Sequence, residues 1–413
     1  MNSGKIGIKS VIIFGTAFIG AGGSERLTFE EAKWLEKAGL KTHILTFDLK
    51  ENEPFNLAYG VNIQQVGSRI KSKNLLIRII QAMRNILTLR EKIKEIKPDL
   101  IITSSPLNGA ILYLATIFTS FSYFLHIHET AFWGDDPKDF TKYAIIHKKV
   151  FREIRESLLW HKVLIPEKPP RSGIFQRLWA EVFAIAQYIG VKKAKKIFLF
   201  SNQMKWEVKK LYGKDSIVIK GAYPPEIFSY IQKQNIKEKL NLNDKRMILM
   251  VNRLVPRKRV DLLIKAFKQI SENFNDVILV IGGKGPEEKN LKELTKNLNI
   301  SDKVKFVGYI EEQDIWDYFL SCEVYAHPDH ADFDISAYQP LALQRKIVWT
   351  SEMEIGEMLA DNKHIFIAEP TVNDFAEALK KALKTDLYED IREKERLSSY
   401  TWDRYVGHIL KEI

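Results

Sequence analysis

The residues with the plainest chemistry are Arg253 and Lys258, five positions apart. The apolar run before them, residues 247–251 (MILMV), reads as a buried parallel strand. Residues 260–267 show helical periodicity. Both cations therefore fall on a strand-to-helix turn, where free amides and the helix dipole also favour anions. Two cations at such a turn suit a diphosphate, and open α/β sheets bind ligands at such edges. A basic surface loop has the same spacing, so neighbouring motifs must decide.

Residues 20–26 (GAGGSER) lie between the first expected strand and its helix. Glycines there let backbone amides approach a phosphate or sugar, and Ser24 suits a helix cap. The run is neither a Walker loop nor G-x-G-x-x-G. His126-Ile127-His128-Glu129 closes an apolar strand, and alternation puts both histidines on one side. A histidine and a carboxylate at a strand's carboxyl end can handle a hydroxyl, although two structural histidines would look the same. A zinc site is disfavoured, because no second ligand pair stands at metal spacing. Residues 282–286 (GGKGP) repeat the glycine theme, as a turn or as a ligand approach. Residues 329–339 (DHADFDISAYQ) could bind sugar hydroxyls or a divalent metal, though no oxygen-ligand loop is present. Asp135-Asp136 reads as a surface turn.

These motifs need elements to hold them. A chain of 413 residues exceeds the usual size of one core, so two domains are expected. Apolar content of 45% with 28% charged residues describes a soluble globular protein. The lone cysteine, Cys322, excludes an internal disulfide framework and fits a reducing compartment. The first residues run straight into a strand, without the pattern of a secretory signal. Net charge is +11, and residues 137–196 alone hold 14 Lys/Arg against 5 Asp/Glu. The expected partner is anionic: acidic lipid, nucleic acid or a polyphosphate. Residues 106–125 carry no charge, which mimics a membrane span. They divide more naturally into a buried helix (109–119) and a strand (122–127).

Strands are expected at 11–14, 42–47, 100–103, 123–127, 196–201 and 216–220, with helices at 24–38 and 75–97. Residues 133–195 are basic, aromatic and proline-broken, and read as an insertion or helical subdomain. Gly221–Pro225 reads as a hinge and 227–245 as a polar linker. Alternation restarts with strands at 247–251, 277–281, 304–307, 323–326, 346–350 and 364–367. The fold class is α/β: two Rossmann-like, doubly wound parallel sheets with a crevice between them.

In this order the motifs resemble the GT-B glycosyltransferases, specifically glycosyltransferase family 4 (group 1). GGSER (22–26) is similar to the family's GGAER loop, and His128-Glu129 to its acceptor-side His-Asp/Glu. FLFS (198–201) resembles the strand before its linker, and KGAY (220–223) a worn N-G-V-D hinge. NRLVPRKR (252–259) is close to its G-R-L-x-x-x-K-G, while GGKGP and FVGYIEEQD (306–314) fit its nucleotide side. TWDRY (401–405) resembles the S-W that opens a final helix.

The resemblance implies an acceptor-side domain at 1–222, a linker at 223–245 and a donor domain at 246–395. A helix at 396–413 would return to the first domain. It implies a nucleotide-diphosphate sugar, UDP- or GDP-linked, as donor, with no cofactor and no metal. Arg253 and Lys258 would stabilise the leaving diphosphate. His128 would sit near the reacting sugar, in a reaction that retains anomeric configuration. Gly22, Gly23, Gly283, Tyr309, Ile310, Asp332, Asp334, Ile335 and Gln339 would line the donor site. Glu129, Arg69, Lys71 and Lys73 would face the acceptor and membrane. The acceptor would be lipid-linked or a glycan, met in peripheral contact with an anionic membrane on its cytoplasmic face. Nucleic acid is not expected, as no helix-turn-helix, RRM or zinc-finger signature is present. One departure matters: the family's E-x7-E falls on Ala331 and Gln339. Gln339 can still hydrogen-bond a ribose. Ala331 cannot replace a glutamate, so donor choice or activity itself is affected. An impaired, nucleotide-sugar-binding subunit of a transferase complex is the alternative.

Overall fold

The computed structural model describes residues 9–412 apart from 19–22, 50–60, 73, 129–143, 158–172, 222, 330–334, 355–358, 387–388 and 390. The chain divides into two compact units, Met1–Lys220 with Trp402–Ile413, and Gly221–Thr401.

Among the described residues, the sheet of the first unit holds seven strands. They are β1 (Ser10–Phe18), β2 (Lys41–Leu49), β3 (Ile63–Gln65), β4 (Leu100–Thr103), β5 (Tyr123–His126), β6 (Lys196–Leu199) and β7 (Ile217–Val218). Their order is β3-β2-β1-β4-β5-β6-β7, and every pairing is parallel. Strands β4 and β5 are buried along their whole length, which is why they read as unbroken apolar runs. Strand β3 gave no such signal: two of its three residues are glutamines at the sheet edge.

Helix α1 (Gly23–Lys37) follows β1. Helix α2 (Leu75–Ile96) opens on Asn74, whose side chain accepts from the Leu76 and Ile77 amides. It ends where Lys97 turns left-handed ahead of Pro98. Helix α3 (Pro106–Thr116) and strand β5 account for the uncharged stretch. No helix among the described residues is long and apolar enough to cross a membrane.

Of the stretch 133–195, read as an insertion or helical subdomain, the last part is a helix that joins neighbouring strands of the sheet. Helix α4 (Ile174–Lys193) is the crossover from β5 to β6 and packs on α3. Glycine makes that packing possible. A Cβ at Gly190 would overlap the Pro106 carbonyl oxygen, and the Tyr123 hydroxyl donates to the Gly190 carbonyl at 2.6 Å. Ala180 and Ala184 of the same helix are buried as well. Small residues bring the helix close, so its bulky apolar residues must point elsewhere.

The second unit holds β8 (Arg246–Val251), β9 (Val277–Gly282), β10 (Val304–Gly308), β11 (Val324–His327), β12 (Lys346–Thr350) and β13 (Ile365–Ala368). The order β10-β9-β8-β11-β12-β13, all parallel, reverses direction at β8. Such a switch point is where a doubly wound sheet receives a ligand. Helix α5 (Val260–Ser271) follows β8 and packs on β9, with Leu263, Ile264, Phe267 and Ile270 fully buried in the core. Cys322 is buried too, and burial pushes its thiol up to about 12.

The stretch read as a linker, 223–245, is bound to this unit. Asp317 accepts from the Lys233 amide (2.9 Å), the Gln234 amide (3.1 Å) and the Tyr230 hydroxyl (2.9 Å). The return to the first unit begins at Trp402. Helix α7 (Trp402–Lys411) buries Trp402, Tyr405, Val406 and Ile409 and packs on α1.

Gly190→Ala is expected to cost on the order of 3 kcal/mol in urea unfolding, because a backbone carbonyl cannot yield to the new methyl. Gly173→Ala, with nothing within 4 Å of its added Cβ, should stay within about 1 kcal/mol of the parent. Equal losses would refute the packing described.

Candidate active site

In the second unit, β8 delivers Asn252 and Arg253 at its carboxyl end. The Asn252 side chain accepts from the Arg253 amide at 2.9 Å and shapes the turn. A 3-10 turn, Pro256–Lys258, and left-handed Arg259 (φ 47°) lead into α5. Leu254, Val255 and Val260 are buried and anchor the loop. The two predicted cations then diverge. Arg253 is exposed. Lys258 is 4% exposed, and its ammonium pairs with Asp329 Oδ2 just past β11. Asp329 is wholly buried, and the Thr350 hydroxyl donates to its carbonyl at 2.7 Å. Asp329 Oδ1 accepts no hydrogen bond from the described residues. The His327 ring lies 3.8 Å from Oδ2.

Gly283 and Gly285 of GGKGP face the chain's own backbone. A Cβ at Gly283 (φ 114°) would overlap the Asn252 carbonyl oxygen, and one at Gly285 the Leu254 carbonyl oxygen. Backbone bonds close the same contact: Asn252 N to Gly282 O at 3.1 Å and Leu254 N to Lys284 O at 3.0 Å. Ile310 is buried, and its Cδ1 would lie 2.5 Å from a Cβ on Gly282. Tyr309 is 45% exposed. Helix α6 (Ile335–Ala342) begins at Ile335 and holds Gln339, which is buried. Ala331, Asp332 and Asp334 lie outside the described residues, as do Gly22, Glu129 and Lys73.

In the first unit, β5 ends at His126, with His128 two positions on. The rings sit on one side as alternation requires, 4.4 Å between centroids. A continuous chain of contacts runs through them. Glu31 Oε2 lies 3.3 Å from His126 Nδ1, His126 Nδ1 lies 3.2 Å from His128 Nε2, and His128 Nδ1 lies 3.0 Å from Ser24 Oγ. Ser24 stands inside α1, so it is a partner of His128 and not the helix cap. The Tyr405 hydroxyl, from returning helix α7, lies within hydrogen-bond distance of the His126 ring nitrogens. Burial pushes Glu31 from its ordinary 4.5 up to about 7, with the opposing pull of His128 smaller. Burial lowers both His126 and His128 to about 3, so both rings are neutral at pH 7. Both nitrogens of His128 are engaged inside the unit, and contact with a substrate hydroxyl requires exchange of one partner. Glu31, His126 and His128 also offer three donors within 4.8 Å, close enough for a metal ion; the hydrogen-bonded chain uses the same atoms.

Glu31 and Tyr405 were not foreseen. Glu31 had a signal: it sits between Thr28 and Leu35 on the buried stripe of α1, where an acid is out of place. Tyr405 had none, since it reaches His126 across 279 positions of sequence. Gly23 begins α1, in open space for an added Cβ. Arg69 is exposed, with Nε 3.5 Å from Asp48 Oδ2, and Lys71 is exposed beside it. A pocket of about 360 Å³, lined by Phe47, Asp48, Arg69, Ile70, Ile86 and Ile111 among others, opens at the carboxyl ends of β1 and β2.

Residues 21–222 match Glycosyltransferase Family 4, and residues 232–400 match Glycosyl transferases group 1. The chain belongs to the group 1, family 4 glycosyltransferases. Among curated relatives, one component of human phosphatidylinositol N-acetylglucosaminyltransferase is 27% identical over 177 residues, covering 41% of this chain and 36% of that protein. An uncharacterized glycosyltransferase of Methanocaldococcus jannaschii is 27% identical over 187 residues, 43% of this chain and 47% of that protein. The match thus spans less than half the length of these relatives. Solved GT-B structures cover nearly the whole chain. Sucrose-phosphate synthase of Thermosynechococcus elongatus has TM-score 0.73 at 16% identity, covering 98% of each chain. HepE of Anabaena in complex with UDP-glucose has TM-score 0.70 at 14% identity, covering 98% of this chain and 100% of that one. These likenesses show the GT-B fold for this glycosyltransferase.

The buried Glu31 yields a prediction with a definite sign. Folded, it keeps its proton to about pH 7; unfolded, it releases it near 4.5. Its stabilising proton is therefore present below about 4.5 and lost as pH rises through 7. Unfolding free energy of the parent should fall relative to Glu31→Gln by up to a few kcal/mol between about pH 4.5 and 7. The two histidines act in the other sense and lower, between about 3 and 6.5. Parallel pH profiles for parent and variant would contradict a buried, protonated Glu31.

Proposed function

We propose that this chain is a retaining glycosyltransferase moving a sugar from a nucleotide-diphosphate donor, a UDP- or GDP-sugar, to a lipid-linked or polysaccharide acceptor. It works at the cytoplasmic membrane surface, in peripheral contact with anionic lipid. The observation that carries this reading is the placement of Arg253 and Lys258 at the switch point of the second sheet, beside the amino end of α5. Exposed Arg253 meets a diphosphate first. Lys258 joins when the phosphate draws its ammonium from Asp329. Two positive groups and a helix terminus then stabilise the charge that builds on the leaving diphosphate, which is electrostatic catalysis without a metal. His128, neutral at pH 7, exchanges a partner to hold a sugar hydroxyl. HepE's complex with UDP-glucose supports the donor class, and the phosphatidylinositol N-acetylglucosaminyltransferase relative supports a lipid acceptor.

A second reading is a nucleotide-sugar-binding subunit without catalysis. It is favoured by Ala331 at the family's first glutamate position, and by the inward-facing bonds of Lys258 and His128.

Incubation with labelled UDP- and GDP-sugars and a membrane lipid extract tests both. The first reading expects label in the lipid or polysaccharide fraction, cut by about a hundredfold or more in Arg253→Ala. Donor binding without transfer would establish the second reading. Neither binding nor transfer would defeat both.

A further inference from the structure

Helices α2 and α4 are amphipathic the wrong way round for a soluble unit. In α2 the buried stripe is Asn85, Leu89 and Ile93. Leu76, Ile80, Met83 and Leu87, spaced four, three and four apart, form the opposite face and are 54–66% exposed. In α4 the buried stripe is Ala180, Ala184 and Val191. Phe175, Leu178, Val182 and Ile185 form the opposite face and are 47–76% exposed. A surface helix ordinarily turns its large apolar residues inward and its polar residues to water. Here small or polar residues face in, and bulky ones face out, on two helices at once. Leu75, Ile77, Ile79 and Ile174 add exposed apolar surface at the leading turns.

The two helices come together near their amino ends. The Arg78 guanidinium lies 5.7 Å from the Trp179 ring centroid, a cation–π contact that links the helices. Charge along these helices is mostly positive. Residues 75–90 contain Arg78, Arg84 and Arg90 and no acid, with Arg90 turned onto the Leu114 and Ala115 carbonyls; 174–181 contain Arg177 and Glu181, whose carboxylate accepts from the Ile145 amide. Arg69 and Lys71 stand exposed just before α2. Apolar area interleaved with arginine matches the headgroup–acyl boundary of an anionic bilayer. A protein partner's apolar patch would not require the cations.

We propose that the outward faces of α2 and α4 form one insertion surface, which seats the first unit in the headgroup–acyl boundary of an anionic membrane. This deepens the peripheral-membrane part of the reading above and rests on no property of the donor site. The surface takes bilayer lipid as its occupant, with Leu76, Ile80, Phe175 and Leu178 entering the acyl region and the arginines held at the phosphates. The pocket lined by Phe47, Ile70 and Ile86 opens beside α2, on the same unit.

Vesicle flotation of the full chain tests this. Phosphatidylcholine vesicles are compared with vesicles in which phosphatidylglycerol replaces half of the lipid. The parent should float with the anionic vesicles at least about tenfold more strongly, and less as salt rises. Leu76→Glu with Ile80→Glu, and separately Phe175→Glu with Leu178→Glu, should each lose about tenfold or more of that binding. Ile231→Glu, at an exposed site in the other unit, should change nothing. A parent that floats with neither vesicle, or variants that float as well as the parent, would overturn the proposal. So would a stable dimer in gel filtration that the glutamates convert to monomer, since a second copy would then cover the face. If a variant fails to fold, the parent is read with brominated-chain lipids. Quenching of Trp179, identified by its loss in Trp179→Phe, supports insertion; its absence refutes it. Stabilisation by sugar nucleotides, measured without vesicles, should be the same in all folded variants, so failure of insertion is separable from failure of the donor reading.

Discussion

The buried ion pair between Lys258 and Asp329 organises the second unit. It ties the turn after β8 to the residues after β11, the two strands that flank the switch point. Both charges are out of water, and removal of either would strand the other at a cost of about 3–5 kcal/mol. The pair thereby fixes where the β8 turn runs, and the glycines at 283 and 285 let the next loop close against it. Exposed Arg253 sits on this fixed turn. In the proposed reaction, a diphosphate at the sheet edge would compete with Asp329 for Lys258, so that binding would bring the second cation into play.

The first unit solves a different problem, that of holding a neutral histidine at a strand end. Desolvation keeps His126 and His128 uncharged, and Glu31 offers a carboxyl group that itself tends to stay protonated. Three groups that would repel or starve one another in isolation become mutual donors and acceptors. Helix α7 closes the arrangement with Tyr405, so the end of the chain helps to set the ring beside Ser24.

Much of this was legible in the sequence for physical reasons. Strands buried on both faces read as apolar runs, and their alternation with helices required parallel sheets. The Arg253/Lys258 turn was legible because a strand end and a helix start bracket it. Other features depend on partners distant in sequence. The pairing of Lys258 was not legible because Asp329 lies 71 positions away. The crowding at Gly283 was not legible because Asn252 lies on another loop. Helix α4 was hidden in a basic, aromatic stretch because its outward face is apolar, which broke the expected amphipathic pattern. Strand β3 carries glutamines at a sheet edge, where burial imposes no pattern.

The central claim is that the turn carrying Arg253 and Lys258 binds a nucleotide-diphosphate sugar. Calorimetric titration with UDP-, GDP-, ADP- and CMP-sugars tests it most directly, because it needs no acceptor. One UDP- or GDP-sugar should bind measurably, with affinity reduced at least about tenfold in Arg253→Ala, the loss of a charge-assisted phosphate contact. Absence of binding by any of the four, or equal binding by parent and variant, would contradict the claim.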